Sequence, residues 1–254
     1  MGYNKLIKYA NTVEIYTYER PLPIRPRQTR KLSRKVTLPR VVTDRSDPLQ
    51  QRELEGKRKD NARRAAVVFR RLISANLGGD TNPLLFTLTY RENQETLKQG
   101  YKDFGSFIQA MRYKFGKQFR YISVPEFQKR GAVHFHALFW GLPDTVYKSE
   151  RHTRLVASLW RQGYVFMKET DGNERLSTYL AKYMVKAFTD SRMIGQKAYV
   201  CSRNLIRPQV ISDISNHGLG IAMEETGAIN PSIDKTYNTL RLGKGRHRVY
   251  KIDK

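Results

Sequence analysis

One stretch, Gly131-Ala132-Val133-His134-Phe135-His136-Ala137-Leu138-Phe139-Trp140, constrains the fold more than any other. Its side chains alternate with period two, the pattern of a β-strand. His134, His136 and Leu138 share one face, and Val133, Phe135, Ala137 and Phe139 share the other. Burial explains apolar residues on both faces. It does not by itself explain two imidazoles on one face, their Cα atoms about 6.5–7 Å apart. That spacing lets one metal ion take both rings as ligands.

The preceding segment, Arg120 to Gln128, reads as a second strand, and Lys129-Arg130-Gly131 as a three-residue hairpin loop. Such a loop wants a positive φ at its last position, and Gly131 supplies it. This register sets Glu126 opposite His134 and Val124 opposite His136. Opposed residues share a face, so Glu126, His134 and His136 converge. Two imidazoles and a carboxylate with open positions suit a divalent ion that also holds substrate oxygens. The competing reading is two satisfied surface histidines on an edge hairpin.

Charge narrows the partner. The 254 residues carry 47 Lys+Arg against 23 Asp+Glu, a formal charge of +24. A surplus of that size repels itself in the folded state, and a polyanion partner is the natural reason to keep it. Residues 20–71 alone hold 17 Lys+Arg and 5 Asp+Glu. Their first part, to about Pro48, reads as an extended basic arm after Pro21, Pro23 and Pro26. From Leu49 to Leu77 the pattern is helical, with Arg63 and Arg64 on a face suited to phosphates or simply to solvent. The tail, 235–254, is also basic. The single cysteine, Cys201, excludes an intrachain disulfide and a cysteine zinc cluster. No long apolar run marks a signal peptide or a membrane span. A cytoplasmic protein is expected, in the host cell if a phage encodes it.

The rest of the chain supplies the frame. Thr12–Tyr18 alternates as a strand, and Leu84–Tyr90 is a strand rich in β-formers. Residues 97–115 and 149–161 suit helices, and 163–168 a short strand. From Leu84 the order is therefore βαββαβ. The expected fold class is α+β: a ferredoxin-like or RRM-like antiparallel sheet with helices packed on one face. The expected organisation is an N-terminal strand and basic arm (1–60), a central domain (61–190), and a basic C-terminal extension (191–254) that could pack on it.

A last helix, from Arg175 to Phe188, has no Gly or Pro. Leu176, Leu180, Met184, Ala187 and Phe188 form its apolar side, and Tyr179, Lys182, Tyr183 and Lys186 a neighbouring edge. The tyrosines can be amphipathic border residues. They can also be nucleophiles, because a nearby cation or metal favours the phenolate.

Phe86-Thr87-Leu88-Thr89-Tyr90, then His134-Phe135-His136, then Tyr179-x-x-Lys182 resemble the three ordered motifs of HUH endonucleases, the rolling-circle replication initiators of small phages and plasmids, with relatives among relaxases and transposases. The paired Tyr179 and Tyr183 resemble the two-tyrosine branch. The likeness spans roughly 84–190. It implies a sheet presenting Mg²⁺ or Mn²⁺ on Glu126, His134 and His136, with the tyrosine helix beside it. Tyr179 or Tyr183 would attack a phosphate of single-stranded origin DNA, leaving a 5′-phosphotyrosine and a 3′-OH primer, and the strands could later be rejoined. Tyr179 is expected to be the principal nucleophile, because Lys182 holds the family's Tyr-x-x-Lys place. Lys182 would favour the phenolate or hold phosphate, and Lys186, Lys129, Arg130, Arg63 and Arg64 would contact DNA. No P-loop sequence occurs, so a separate helicase and a DNA polymerase are expected partners.

Two other classes stay open at this point. A sheet-based single-stranded nucleic-acid binding module needs only charge and aromatics, but leaves Glu126, His134 and His136 unexplained. A metal hydrolase would use water and leave the tyrosines incidental.

Overall fold

The computed structural model describes residues 2–21, 48–77, 82–173, 175–193, 195–227 and 229–252. The basic arm expected up to Pro48 lies almost wholly outside the described residues, as do the side chains of Ala187 and Phe188. In chain order the elements are β1 (Tyr3–Tyr9), β2 (Thr12–Tyr18), α1 (Pro48–Ser74), β3 (Leu84–Tyr90), α2 (Leu97–Phe115), β4 (Arg120–Phe127), β5 (Val133–Trp140), α3 (Thr145–Lys148), α4 (Glu150–Trp160), β6 (Gly163–Glu169), α5 (Arg175–Thr189), β7 (Val200–Cys201), β8 (Gln209–Ser212), α6 (Asn216–Thr226), β9 (Pro231–Thr239) and β10 (Gly243–Lys251). The protein is α+β with two antiparallel five-stranded sheets.

The chain forms two compact units, Met1–Leu32 with Ile206–Lys254, and Ser33–Leu205. In the first, the strand order is β8-β1-β2-β10-β9. β10 runs along β2 from Gly245 opposite Tyr18 to Lys251 opposite Thr12, so the two ends of the chain build one sheet. Leu219 of α6 closes one face over Leu6, Val13, Ile15 and Tyr250. On the other face the buried Glu14 accepts hydrogen bonds from the hydroxyls of Tyr9 and Tyr16 at 2.6 and 2.8 Å. A division at residue 60 would cut α1, which is continuous there. The segment from Ile206 on is part of a sheet whose other strands are N-terminal.

The second unit carries the expected βαββαβ order, and its strands lie in the order β6-β3-β5-β4-β7. The hairpin register is as expected: Glu126 faces His134 and Val124 faces His136. Gly131 closes the turn at φ 94°, donating to the Gln128 carbonyl oxygen at 2.9 Å. β7 pairs with β4 only at Ile122 and Ser123, so β4 is an edge strand where Pro125 sits, and the missing N–H is tolerated there.

Helices cover both faces of this sheet, not one. Phe135 and Phe139 meet Tyr101, Phe104 and Phe107 of α2 and Trp160 of α4. Gly100 lets α2 come close: a Cβ there would stand 3.1 Å from Val133. On the opposite face α5 crosses β4, and α1 lies against α5. The reason is that both faces are apolar. Ile122, Val124 and Leu138 are as deeply buried as Phe86, Phe135 and Phe139, and leaving either set in water would forfeit roughly 1.5–3 kcal/mol per large side chain.

Candidate active site

Three elements build the site. β5 carries His134 and His136, β4 carries Glu126, and α5 brings Tyr179, Tyr183 and Lys186 onto the same sheet face. Leu176, Leu180 and Met184 are buried and fix the rotation of α5. Its tyrosine edge is thereby turned toward β5.

The Tyr183 ring stacks on His136, centroids 3.8 Å apart and planes 23° from parallel. His136 in turn stacks with His134 at 4.7 Å. The Tyr179 and Tyr183 hydroxyls are 2.7 Å apart. Glu126 Oε2 meets His136 Nε2 at 2.8 Å, and Lys186 donates from Nζ to Glu126 Oε1. An open cleft of about 610 Å³ sits over this group, with Lys129 and Arg130 on its rim and Tyr183 and Lys186 in its wall.

The electrostatics follow from burial and the ion pair. Burial, helped by the neighbouring His136, lowers the His134 pKa to about 4. Burial likewise lowers that of His136, against the pull of Glu126. Both rings are therefore neutral near pH 7, the form in which imidazole binds a metal. Burial raises the Glu126 pKa, but the hydrogen bonds from Lys186 and His136 outweigh it, so the carboxyl stays below its usual range and ionised. Tyr183 is pushed up, first by burial, then by its bond to Tyr179 and the charge of Glu126.

The donor set fits a divalent cation in its chemistry. Among the described residues, both ring nitrogens of His134 and Nδ1 of His136 are buried without a hydrogen-bond partner, and such orphaned donors or acceptors are costly unless something takes them up. The arrangement is nevertheless closed on itself, because Glu126 gives one oxygen to His136 and the other to Lys186. Among the described residues, no three His, Cys, Asp or Glu side chains are poised to hold a metal ion.

The remaining expected residues divide. Arg130 is anchored, donating to the Tyr90 and Arg91 carbonyl oxygens and to Gln128, so it ties the end of β3 to the hairpin. Lys129 is exposed at the turn. Lys182 is exposed on α5 and does not line the cleft. Arg63 and Arg64 are exposed on α1, also away from the cleft, with Arg63 3.5 Å from Asp60. Of the two Tyr-x-x-Lys spacings, Tyr183 and Lys186 stand at the histidines, while Tyr179 and Lys182 lie one turn outward. Lys186, expected to contact DNA, is instead bonded to Glu126. A contact across sixty residues leaves no local signal in the sequence.

Residues 83–188 match the family model described as Replication-associated protein ORF2/G2P. No curated protein and no solved structure matches the chain. The matched segment runs from the residue before β3 into α5 and contains Glu126, His134, His136, Tyr179, Lys182, Tyr183 and Lys186. The match covers less than half of the chain and is a likeness to that replication-associated family. No described helix is long and apolar enough to cross a membrane.

Proposed function

We propose that this protein starts rolling-circle replication by nicking single-stranded origin DNA through tyrosine transesterification, in the manner of a two-tyrosine HUH endonuclease on a ferredoxin-like sheet. The observation that carries this reading is the Tyr183 ring lying on His136, within a segment that matches a replication-associated family. A core tyrosine needs no such neighbour. A nucleophile does, because its oxygen must reach the phosphate that the histidine side of the sheet presents.

Glu126, His134 and His136 would hold Mg²⁺ or Mn²⁺, which supplies polarisation of the scissile phosphate and offsets the charge that develops on it. The chain's own residues do the rest. Lys129 on the rim and Lys186 in the wall attract the DNA backbone into the cleft. α5 holds Tyr183 over the histidines, and its phenolic oxygen bonds to phosphorus as the bond to the 3′ oxygen breaks. The proton lost by the phenol balances the one gained by the 3′-OH. Because the phosphodiester is exchanged and not hydrolysed, a 3′-OH can reverse the step and rejoin the strand. The geometry favours Tyr183 over Tyr179 for the first attack, since Tyr183 is the one on the histidines. Tyr179, hydroxyl to hydroxyl with it, is placed for a second cleavage while the first 5′ end is still held. A separate helicase and a polymerase would complete the system.

Incubation with a library of single-stranded oligonucleotides and Mn²⁺ tests this. A covalent protein–DNA adduct resistant to denaturant is expected. A non-catalytic binding module would retain DNA with no adduct, and a hydrolase would cut with none.

A further inference from the structure

Among the described residues, the same sheet face continues past the histidines to an edge strand. β6 is the outermost strand there, and it presents Tyr164 and Phe166 at 64% and 59% exposure. Neither is placed at random. The pairings put Tyr164, Thr89, His134 and Glu126 in one row across the sheet, and Phe166, Thr87, His136 and Val124 in the next. The intervening residues of β6, Val165 and Met167, turn the other way and pack on the core. A solvated sheet face ordinarily carries polar residues at such alternate positions. Here it carries two aromatic rings, about two strand spacings, roughly 9–10 Å, from the histidine column. The short side chains of Thr87 and Thr89 lie between them, which keeps the floor low.

We propose that this strip is a stacking platform for bases of single-stranded DNA, with Tyr164 and Phe166 each taking a base of the strand whose backbone passes the site. The proposal rests on the DNA-binding part of the functional reading and not on its chemistry. Base–aromatic stacking tolerates any sequence because every base has a π-face. The two rings, two residues apart on one strand, suit successive bases of an extended strand. The surroundings are cationic: the Arg91 guanidinium lies 5.9 Å from the Tyr164 ring centroid, and Arg161 and Lys168 are exposed beside them. That charge draws a polyanion and opposes contact with a second copy of this chain, itself +24. The start of β6 is also held tightly. A Cβ at Gly163 would fall 2.4 Å from the Thr89 carbonyl oxygen, so only glycine lets Tyr164 begin its strand so close to β3.

The test measures binding of fluorescent oligothymidylate by anisotropy, in EDTA, so that no cleavage intervenes. Tyr164→Ala and Phe166→Ala should each weaken binding about fivefold or more. The slope of log K against log salt should not change, because no charge is removed. Tyr164→Trp and Phe166→Trp should bind like the wild type. Tyr113→Ala removes a tyrosine of 94% exposure from α2, on the opposite face, and should have no effect. In a second arm, 5-iodouracil oligonucleotides should photocrosslink to Tyr164 or Phe166. Wild-type binding by both alanine variants, with crosslinks elsewhere, overturns the platform. So does a shift in sedimentation that shows the alanine variants have lost a self-contact, or a wild type that binds no single-stranded DNA. Weakened binding in a protein that forms no adduct with Mn²⁺ would keep the platform and defeat the proposed chemistry. The converse result would do the opposite.

Discussion

Tyr183 lies face to face on His136, ring centroids 3.8 Å apart, and its hydroxyl meets that of Tyr179 at 2.7 Å. The stack and the hydroxyl can be separated by substitution. Tyr183→Phe keeps the ring, so unfolding by urea should change by no more than about 0.5 kcal/mol. Tyr183→Ala loses the ring contact and should cost about 1 kcal/mol or more. If the two variants are equally stable, the ring is not packed as described.

Glu126 is shared between His136 and the Lys186 ammonium. A metal ion taken up at Glu126 must compete with that cation. Lys186→Met should therefore tighten Mn²⁺ binding, measured by calorimetry, by up to roughly fivefold. The factor is modest because the ammonium is largely exposed and such a pair is worth about 1 kcal/mol or less. His136→Ala should abolish Mn²⁺ binding and cleavage, yet spare most of the affinity for single-stranded DNA, which comes from phosphate contacts. Unchanged Mn²⁺ affinity in His136→Ala would remove the metal from the account.

His134 makes the stability of the metal-free protein depend on pH. Its folded pKa, lowered by burial to about 4, lies below its unfolded value of 6.5. Between those two values the unfolded chain binds the extra proton, so stability rises with pH. The contribution is intact above about 6.5 and is lost progressively as pH falls to about 4. In EDTA, His134→Gln should flatten this part of the curve of unfolding free energy against pH. A curve parallel to that of the wild type would show that the ring is not desolvated.

Gly131 holds the hairpin register at φ 94°. Gly131→Ala should cost about 1–2 kcal/mol in thermal unfolding, and Gly131→Asn less, because asparagine tolerates positive φ. Equal stability of all three would mean that the turn does not set the register.

The part of the fold that was legible in the sequence is the part fixed by local pattern. The strict alternation of 133–140 and the glycine at 131 gave the hairpin and its register, and 3.6-residue periodicity gave α2 and α5 nearly to the residue. What was not legible depends on contacts between distant segments. β8 joins the first sheet only by pairing with β1, and the β9–β10 hairpin only by laying Gly243–Lys251 along Thr12–Tyr18, both far apart in sequence. Their own sequences mix Lys, Asn and Asp into the strands and carry weak alternation. The helices on both faces were missed for a related reason. The element order from β3 to β6 says nothing of α1 and α5, and only the burial of Ile122 and Val124 shows that the histidine face needed a cover. At the site, the convergence of Glu126, His134 and His136 followed from register alone. That Tyr183 and not Tyr179 stacks on His136 did not, because it depends on how α5 is rotated and seated.

The basic stretch 20–48 adds a prediction that rests on charge alone. Deleting it should make the slope of log K against log salt shallower for single-stranded DNA. An unchanged slope would assign the non-specific affinity to other cations.

Mass spectrometry of the peptide trapped on single-stranded DNA in Mn²⁺ decides whether α5 makes a phosphotyrosine link. The expected result is an adduct on Tyr183, reduced but still present on Tyr179 in Tyr183→Phe, and none in the Tyr179→Phe/Tyr183→Phe protein although that protein still binds DNA. An adduct on a residue outside 179–183, or one that persists in the double variant, would contradict it.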